Sequence, residues 1–225
     1  ILSKEDFGLL ALVSIYGLFA SGLANFGMTS AFERNYFQYR DDKVKMAQLI
    51  YTTVLFTSVM FTVLAIVTYI FRTPIAAFVT GDGDNGMIIF WSFPAFYFYH
   101  IAFQYFLIYY KNAGMAKRFS TFKILNRFTS FLLSLFFVAV LDYGILGIIY
   151  SQLWAGTFVL VILIVLFTRE YKPALSFDVF KESIKISYPL TPRIFIGVIG
   201  TQFDKYMINL LGSLGGTGIY SLGKK

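Results

Sequence analysis

The chain has 225 residues, 57% of them hydrophobic, 20% aromatic and only 14% charged, with a formal net charge of +7. Soluble domains hold about 45–50% apolar and about 25% charged residues, so this apolar surplus excludes a soluble single domain and, equally, a disordered chain. No cysteine and a single histidine, His100, exclude disulfides, thiolate chemistry, zinc clusters, paired-histidine metal motifs and most catalytic triads, so neither a metal nor a cofactor is expected.

About 20 apolar residues at a rise of about 1.5 Å each cross the hydrocarbon core. In chain order the expected spans are 7–32, 47–71, 87–110, 124–141, 145–168 and 188–211. Membrane strands alternate polar and apolar over about 10 residues, and these runs are too long and too evenly apolar for that. The fold class is therefore all-α: a polytopic transmembrane bundle of six full spans plus a truncated one.

Lysine and arginine alternate strictly between the connections. Arg34, Arg40, Lys43 and Lys45 lie near the first; Lys111, Lys117, Arg118, Lys123 and Arg127 near the third; Arg169, Lys172, Lys181 and Lys185 in the fifth. The opposite side has Lys4 and Arg72, a tally of 13 against 2 that places the three basic connections in the cytoplasm. Ile1 then lies outside, with neither an initiator Met nor a signal peptide ahead of it, and a new apolar run opens at 218–222 before the chain stops at Lys225. On this reading the chain is a fragment of a two-bundle transporter. Residues 1–175 form bundle one without its first helix, 176–187 a cytoplasmic amphipathic linker helix, and 188–225 the truncated start of bundle two.

In the linker, Phe177, Phe180 and Ile184 recur at i, i+3 and i+7 behind Ser176 or Asp178 as N-cap, the pattern of a short helix on the cytoplasmic leaflet. Residues 7–12 also echo residues 217–222 at an offset of 210, each after a short polar turn, as expected of parallel six-span repeats.

A charge in mid-membrane costs about 2.5–3.5 kcal/mol and normally faces a wet cavity or a partner. The last full span carries Arg193, Asp204 and Lys205. At about 100° per residue Arg193 and Asp204 share a face within about 20°, while Lys205 points about 100° from Asp204. Arg193 either snorkels to headgroups or faces a cavity; Asp204 and Lys205 either pair with another helix or line the same cavity. Lys224 and Lys225 sit in the truncated run, and Arg34 marks the end of the first span, beside Glu33. Counting only the last full span and the truncated one, four cations face a single acid, which suits an anionic ligand.

Elsewhere, His100 and Gln104 share a face and make a polar interhelical contact or a proton relay. Pro94, Pro189 and Pro192 bend or break helices, as happens beside transport sites. The 81–86 segment is an outer turn without the ligand spacing of a calcium loop. The tyrosine and phenylalanine run 96–110 reads as lipid-facing and interfacial packing. No glycine loop for nucleotide binding appears, and no nucleic-acid partner is expected.

Residues 2–12, the Gly27-Met28-Thr29-Ser30-Ala31 stretch with Arg34, Tyr36, Tyr39, Asp41 and Asp42, the Ser187-Tyr188-Pro189-Leu190 and Phe203-Asp204-Lys205-Tyr206 segments, and 218–222 together resemble polysaccharide biosynthesis proteins. These are the oligosaccharide flippases of the multidrug/oligosaccharidyl-lipid/polysaccharide exporter superfamily. Lys205 departs from that family's usual Asp-Arg pair, and Glu33 beside Arg34 is atypical. The resemblance implies two pseudo-symmetric bundles around a cation-lined cavity with alternating access, located in the inner (cytoplasmic) membrane. The implied cargo is a polyprenyl-pyrophosphate-linked anionic oligosaccharide, such as an O-antigen or exopolysaccharide precursor. Arg34, Arg193, Lys205 and Lys224 would bind phosphate or acidic sugar, and Asp204 would couple an ion or position a charge. Membrane lipids and other polysaccharide-assembly membrane proteins are the expected partners.

Two alternatives are weaker. A multidrug exporter of the same superfamily would want an acidic cavity for cationic drugs, and the spans hold one Asp and no Glu. An enzyme, such as a membrane-embedded glycan polymerase or ligase, would want a large outer loop with acids, bases and cations. The reading is therefore a transporter and not an enzyme.

Overall fold

A peptide group in hydrocarbon has no water to bond, so a long apolar run satisfies its backbone internally as a helix. The computed structural model describes residues 2–223, without the side chains of Ile194, Phe195 and Val198, and contains no strand among them. Lys224 lies outside the described residues.

The first helix, α1 (Lys4–Asn25), opens on a capping box: Ser3 Oγ accepts from the Asp6 amide at 3.1 Å and the Asp6 carboxylate from the Ser3 amide at 2.7 Å. It passes into α2 (Met28–Tyr39) through Phe26 and Gly27, both left-handed at φ 49° and 71°. Gly27 is obligatory, since a Cβ there would lie 2.7 Å from the Ser187 carbonyl oxygen. Asp42 Oδ1 then caps α3 (Lys43–Ile70), accepting from the amides of Val44 and Lys45.

α3 is built inside out. Leu55, Val59, Val63, Ile66 and Ile70 form an exposed stripe at helical spacing, while Thr53, Thr57 and Thr68 are buried. In lipid the exposed stripe is at home, and the inward hydroxyls need partners. They have them: Thr57 Oγ1 and Tyr105 Oη share a bond of 2.7 Å, Tyr105 reaches Asn25 Oδ1 at 2.7 Å, and Thr68 meets Tyr16 at 2.5 Å.

The chain continues through α4 (Arg72–Thr80), α5 (Gly86–Ile101) and, after a π turn at Ala102–Phe106, α6 (Leu107–Asn112). Next come α7 (Ala116–Leu135), lengthened by a second π turn at Phe136–Val140, and α8 (Gly144–Glu170). α9 (Phe177–Ser187), α10 (Thr191–Leu211) and α11 (Leu214–Gly223) complete the described chain. α5 packs on α8 and α1, α7 on α8, and α10 and α11 both pack on α1. Five helical stretches are long and apolar enough to cross a membrane: Lys4–Asn25, Lys43–Ile70, Gly83–Asn112, Ala116–Val140 and Gly144–Glu170. α10 has a spanning length of 21 residues but carries Arg193, Asp204 and Lys205. The chain is a multi-pass membrane protein.

Several boundaries differ from the sequence reading, each for a physical reason. The fourth span begins at Ala116 and not at 124, so Lys117, Arg118, Lys123 and, three turns in, Arg127 stand on a helix and not in a loop; the flexible stems of the first three suit a membrane helix end because they can reach outward. The second connection contains α4, capped by left-handed Gly81. Pro94 is absorbed within α5, and the irregularity falls at the π turn that follows. The 96–110 aromatic run is not lipid-facing: Tyr105, Phe106, Tyr109 and Tyr110 are buried, with Tyr109 and Tyr171 hydroxyls 2.6 Å apart.

The linker helix α9 is capped by Ser176, as its sequence indicates. Its buried face, however, is Val179, Ser183 and Ser187, whereas Phe177 is 67% exposed. Polar contacts hold that face to bundle one: Asn35 to Ser183 at 3.3 Å, Tyr39 to Glu182, and the Ser176 amide to Thr52 at 3.1 Å.

Candidate functional site

The charges of α10 divide by face. Ile199, Gln202, Phe203 and Tyr206 recur at helical spacing and line a 690 Å³ apolar groove shared with α1, α3 and α4. Arg193 and Asp204 fall on roughly the opposite side at about 100° per residue. Arg193 is exposed near the start of the helix, and Lys205 is half-buried roughly 18 Å further along at about 1.5 Å per residue. The Asp204 carboxylate accepts from Tyr220 of α11 and, at 2.9 Å, from the Lys205 amide, so it ties the two helices of the second unit together. Arg34 is exposed on α2, while its neighbour Glu33 pairs with Lys111 at 3.0 Å on the face that carries the basic connections.

A second polar cluster lies where the sequence reading counted only a loop cation. Asn126, Arg127 and Ser130 of α7, Gln152 of α8 and Tyr99 of α5 line a pocket of 190 Å³. Arg127 and Gln152 are both exposed; Arg127 lies roughly 16 Å into α7 and Gln152 roughly 12 Å from the start of α8, at about 1.5 Å per residue, near the middle of their spanning stretches. Asn126 is 6% exposed, and its Oδ1 has no hydrogen-bond partner among the described residues. A buried amide oxygen in a low-dielectric setting gains from a hydrogen-bond donor, and this one faces a polar pocket. A guanidinium, two amides and a hydroxyl can bind sugar hydroxyls or an oxyanion. The signal for this cluster was present as Asn126 and Ser130 at i, i+4. It was masked by starting the span at 124, which pulled Arg127 into the loop count.

His100, which the sequence reads as a polar interhelical contact or a proton relay, sits among aromatic rings. Its ring lies 5.3 Å from that of Phe61 and 6.3 Å from that of Tyr105, and Nε2 is buried without a partner among the described residues. Among those residues no group of His, Asp and Glu could hold a metal ion.

Helices α1 and α11 meet through bare backbone. A Cβ on Gly8 would sit 2.0 Å from the Leu214 carbonyl oxygen, and one on Gly218 would sit 2.1 Å from the Lys4 carbonyl oxygen. Lys4 and Leu214 stand at the same 210-residue offset as Gly8 and Gly218. The contact is thus reciprocal: each glycine meets a backbone carbonyl four residues before the other.

The chain is an inside-out helical bundle with a break after its first helix, polar side chains within its spanning stretches and a close α1–α11 junction. The family model described as polysaccharide biosynthesis protein matches residues 1–225, and the chain belongs to that family. No curated protein matches. Among solved structures, the chain is similar to one described as the inward-facing conformation of a multidrug resistance MATE family transporter of the MOP superfamily. The TM-score is 0.70 at 14% identity, over 97% of this chain and 53% of that one. The chain therefore spans about half the length of that transporter, and the likeness establishes the fold.

Proposed function

We propose that the complete protein is a flippase that carries a polyprenyl-pyrophosphate-linked anionic oligosaccharide from the cytoplasmic to the outer leaflet by alternating access. Family membership and the transporter fold support export in polysaccharide assembly. The observation that carries the choice of cargo is electrostatic. Within the spanning helices Arg127, Arg193 and Lys205 outnumber the one acid at depth, Asp204, which is already engaged by Tyr220. Away from water a cation binds phosphate strongly, and Arg and Lys are its usual partners. In this reading Arg193 meets the pyrophosphate near the cytoplasmic side, Lys205 and the Arg127 pocket hold anionic or hydroxylated sugars deeper in, and the prenyl chain stays in lipid. In the same reading Arg34 and Lys224 also bind phosphate or acidic sugar, and Asp204 positions Lys205.

A multidrug exporter, the description attached to the similar solved structure, would favour cationic cargo, which this charge balance repels. The test is transbilayer movement of a fluorescent polyprenyl-pyrophosphate oligosaccharide in proteoliposomes of the complete protein. Movement at least tenfold above empty vesicles, with no movement of a cationic dye, is the expected result. The opposite preference overturns the reading.

A further inference from the structure

A second basic cavity lies away from α10. On the face carrying the basic connections, the ends of α6, α7 and α8 enclose 520 Å³ lined by Lys117, Arg118, Thr121, Arg169 and Glu170 over a floor of Tyr110 and Phe122. The Tyr110 and Phe122 rings are buried and stacked, with centroids 6.1 Å apart. The Arg118 guanidinium is held 5.6 Å from the Tyr110 ring centroid and 4.0 Å from Glu170. Lys117 and Arg169 are exposed and have no carboxylate within ion-pair distance among the described residues. Three cations therefore face one acid.

We propose that this cavity binds the phosphate headgroup of an anionic phospholipid of the cytoplasmic leaflet. Three observations select a lipid over a soluble anion. Lys117, Arg118 and Thr121 occupy the first turns of α7, and Arg169 and Glu170 the last turn of α8, the level at which the apolar runs meet the headgroups. Directly above, Ile124 (68% exposed), Phe128 and Val165 offer bare apolar surface for acyl chains. The α7 span is also the least covered of the five, with 6% of its apolar window buried. Basic pockets between membrane helices on the cytoplasmic side suit phosphate headgroups, because the cations pair with phosphate while the tails remain in hydrocarbon. Glu170 fixes Arg118 at the cost of some affinity. The inference does not depend on what the protein transports.

The complete protein in detergent, titrated with phosphatidylglycerol or phosphatidylcholine and read by native mass spectrometry, tests it. At least one phosphatidylglycerol should be retained at concentrations where phosphatidylcholine is not. The combined Lys117→Gln, Arg118→Gln and Arg169→Gln variant should weaken that binding at least tenfold while unfolding at the wild-type temperature in phosphatidylcholine. Glu170→Gln, which removes the local acid, should tighten it, a gain that misfolding cannot produce. Inorganic phosphate at millimolar concentration should not displace the lipid. Equal retention of the two lipids, unchanged binding in the triple variant, or displacement by phosphate alone overturns the proposal.

Discussion

Replacing Gly218 with leucine should separate α11 from α1 and abolish export. Even the first added carbon would stand 2.1 Å from the Lys4 carbonyl oxygen and 2.9 Å from the Gly8 nitrogen, both backbone atoms that no rotamer change can move. Overpacking of this kind costs about 1–3 kcal/mol where flexible side chains can yield, and here they cannot. A drop of roughly 2–4 °C in unfolding midpoint per kcal/mol is expected for a domain of this size, measured on the purified complete protein. Gly8→Leu should behave alike, since its Cβ meets the Leu214 carbonyl at 2.0 Å. Gly223→Leu, on the same helix with nothing within 4 Å, is the control and should be neutral. Because Gly8 and Gly218 share one crossing, the Gly8→Ala and Gly218→Ala pair should cost less together than the sum of its parts.

The second large effect is chemical. Arg127→Gln and Lys205→Gln should each lower export of surface glycan roughly ten- to hundredfold at unchanged protein level. A hydrogen bond to a charged group is worth about 1.5–3 kcal/mol, and about 1.4 kcal/mol is a factor of ten. Lys205→Arg keeps the charge and should retain most activity. Phe203→Leu, on the face of α10 that lines the apolar groove, should have little effect. Surface glycan quantified against membrane protein level is the readout. Wild-type export by both glutamine variants would remove the electrostatic basis of the proposal.

How much of this was legible in the sequence varies by element. Hydrophobic length marks five of the six expected spans, because lipid leaves the backbone no alternative to a helix, whereas the sixth, α10, carries Arg193, Asp204 and Lys205 and is less apolar. The linker helix was legible from Ser176 and its periodic apolar residues, although the face it buries is the small, polar one. Close approach to α2 and α3 selected Ser183 and Ser187 there, and that choice depends on neighbours far away in sequence. The same holds for Gly27, whose left-handed turn is fixed by the Ser187 carbonyl, and for Tyr105, whose partners Asn25 and Thr57 lie on two other helices. The close packing of Gly8 and Gly218 depends likewise on a neighbour more than 200 residues away. Arg127 was hidden for the opposite reason. Its charge looked like a loop signal, and only the early start of α7 reveals that it lies at depth.

These 225 residues contain no cysteine, so a single cysteine placed among them reports on water once any cysteine elsewhere in the complete protein is replaced. Lys205→Cys and Arg127→Cys in the complete protein, treated in cells with a charged thiol reagent that cannot enter lipid, measure the central claim directly. Labelling of both positions, slowed by lipid-linked oligosaccharide, is the result expected of cations that line a wet, anion-binding passage. Silence at both positions, with ready labelling of a loop cysteine, would mean that these side chains face hydrocarbon or protein, and the account would be wrong.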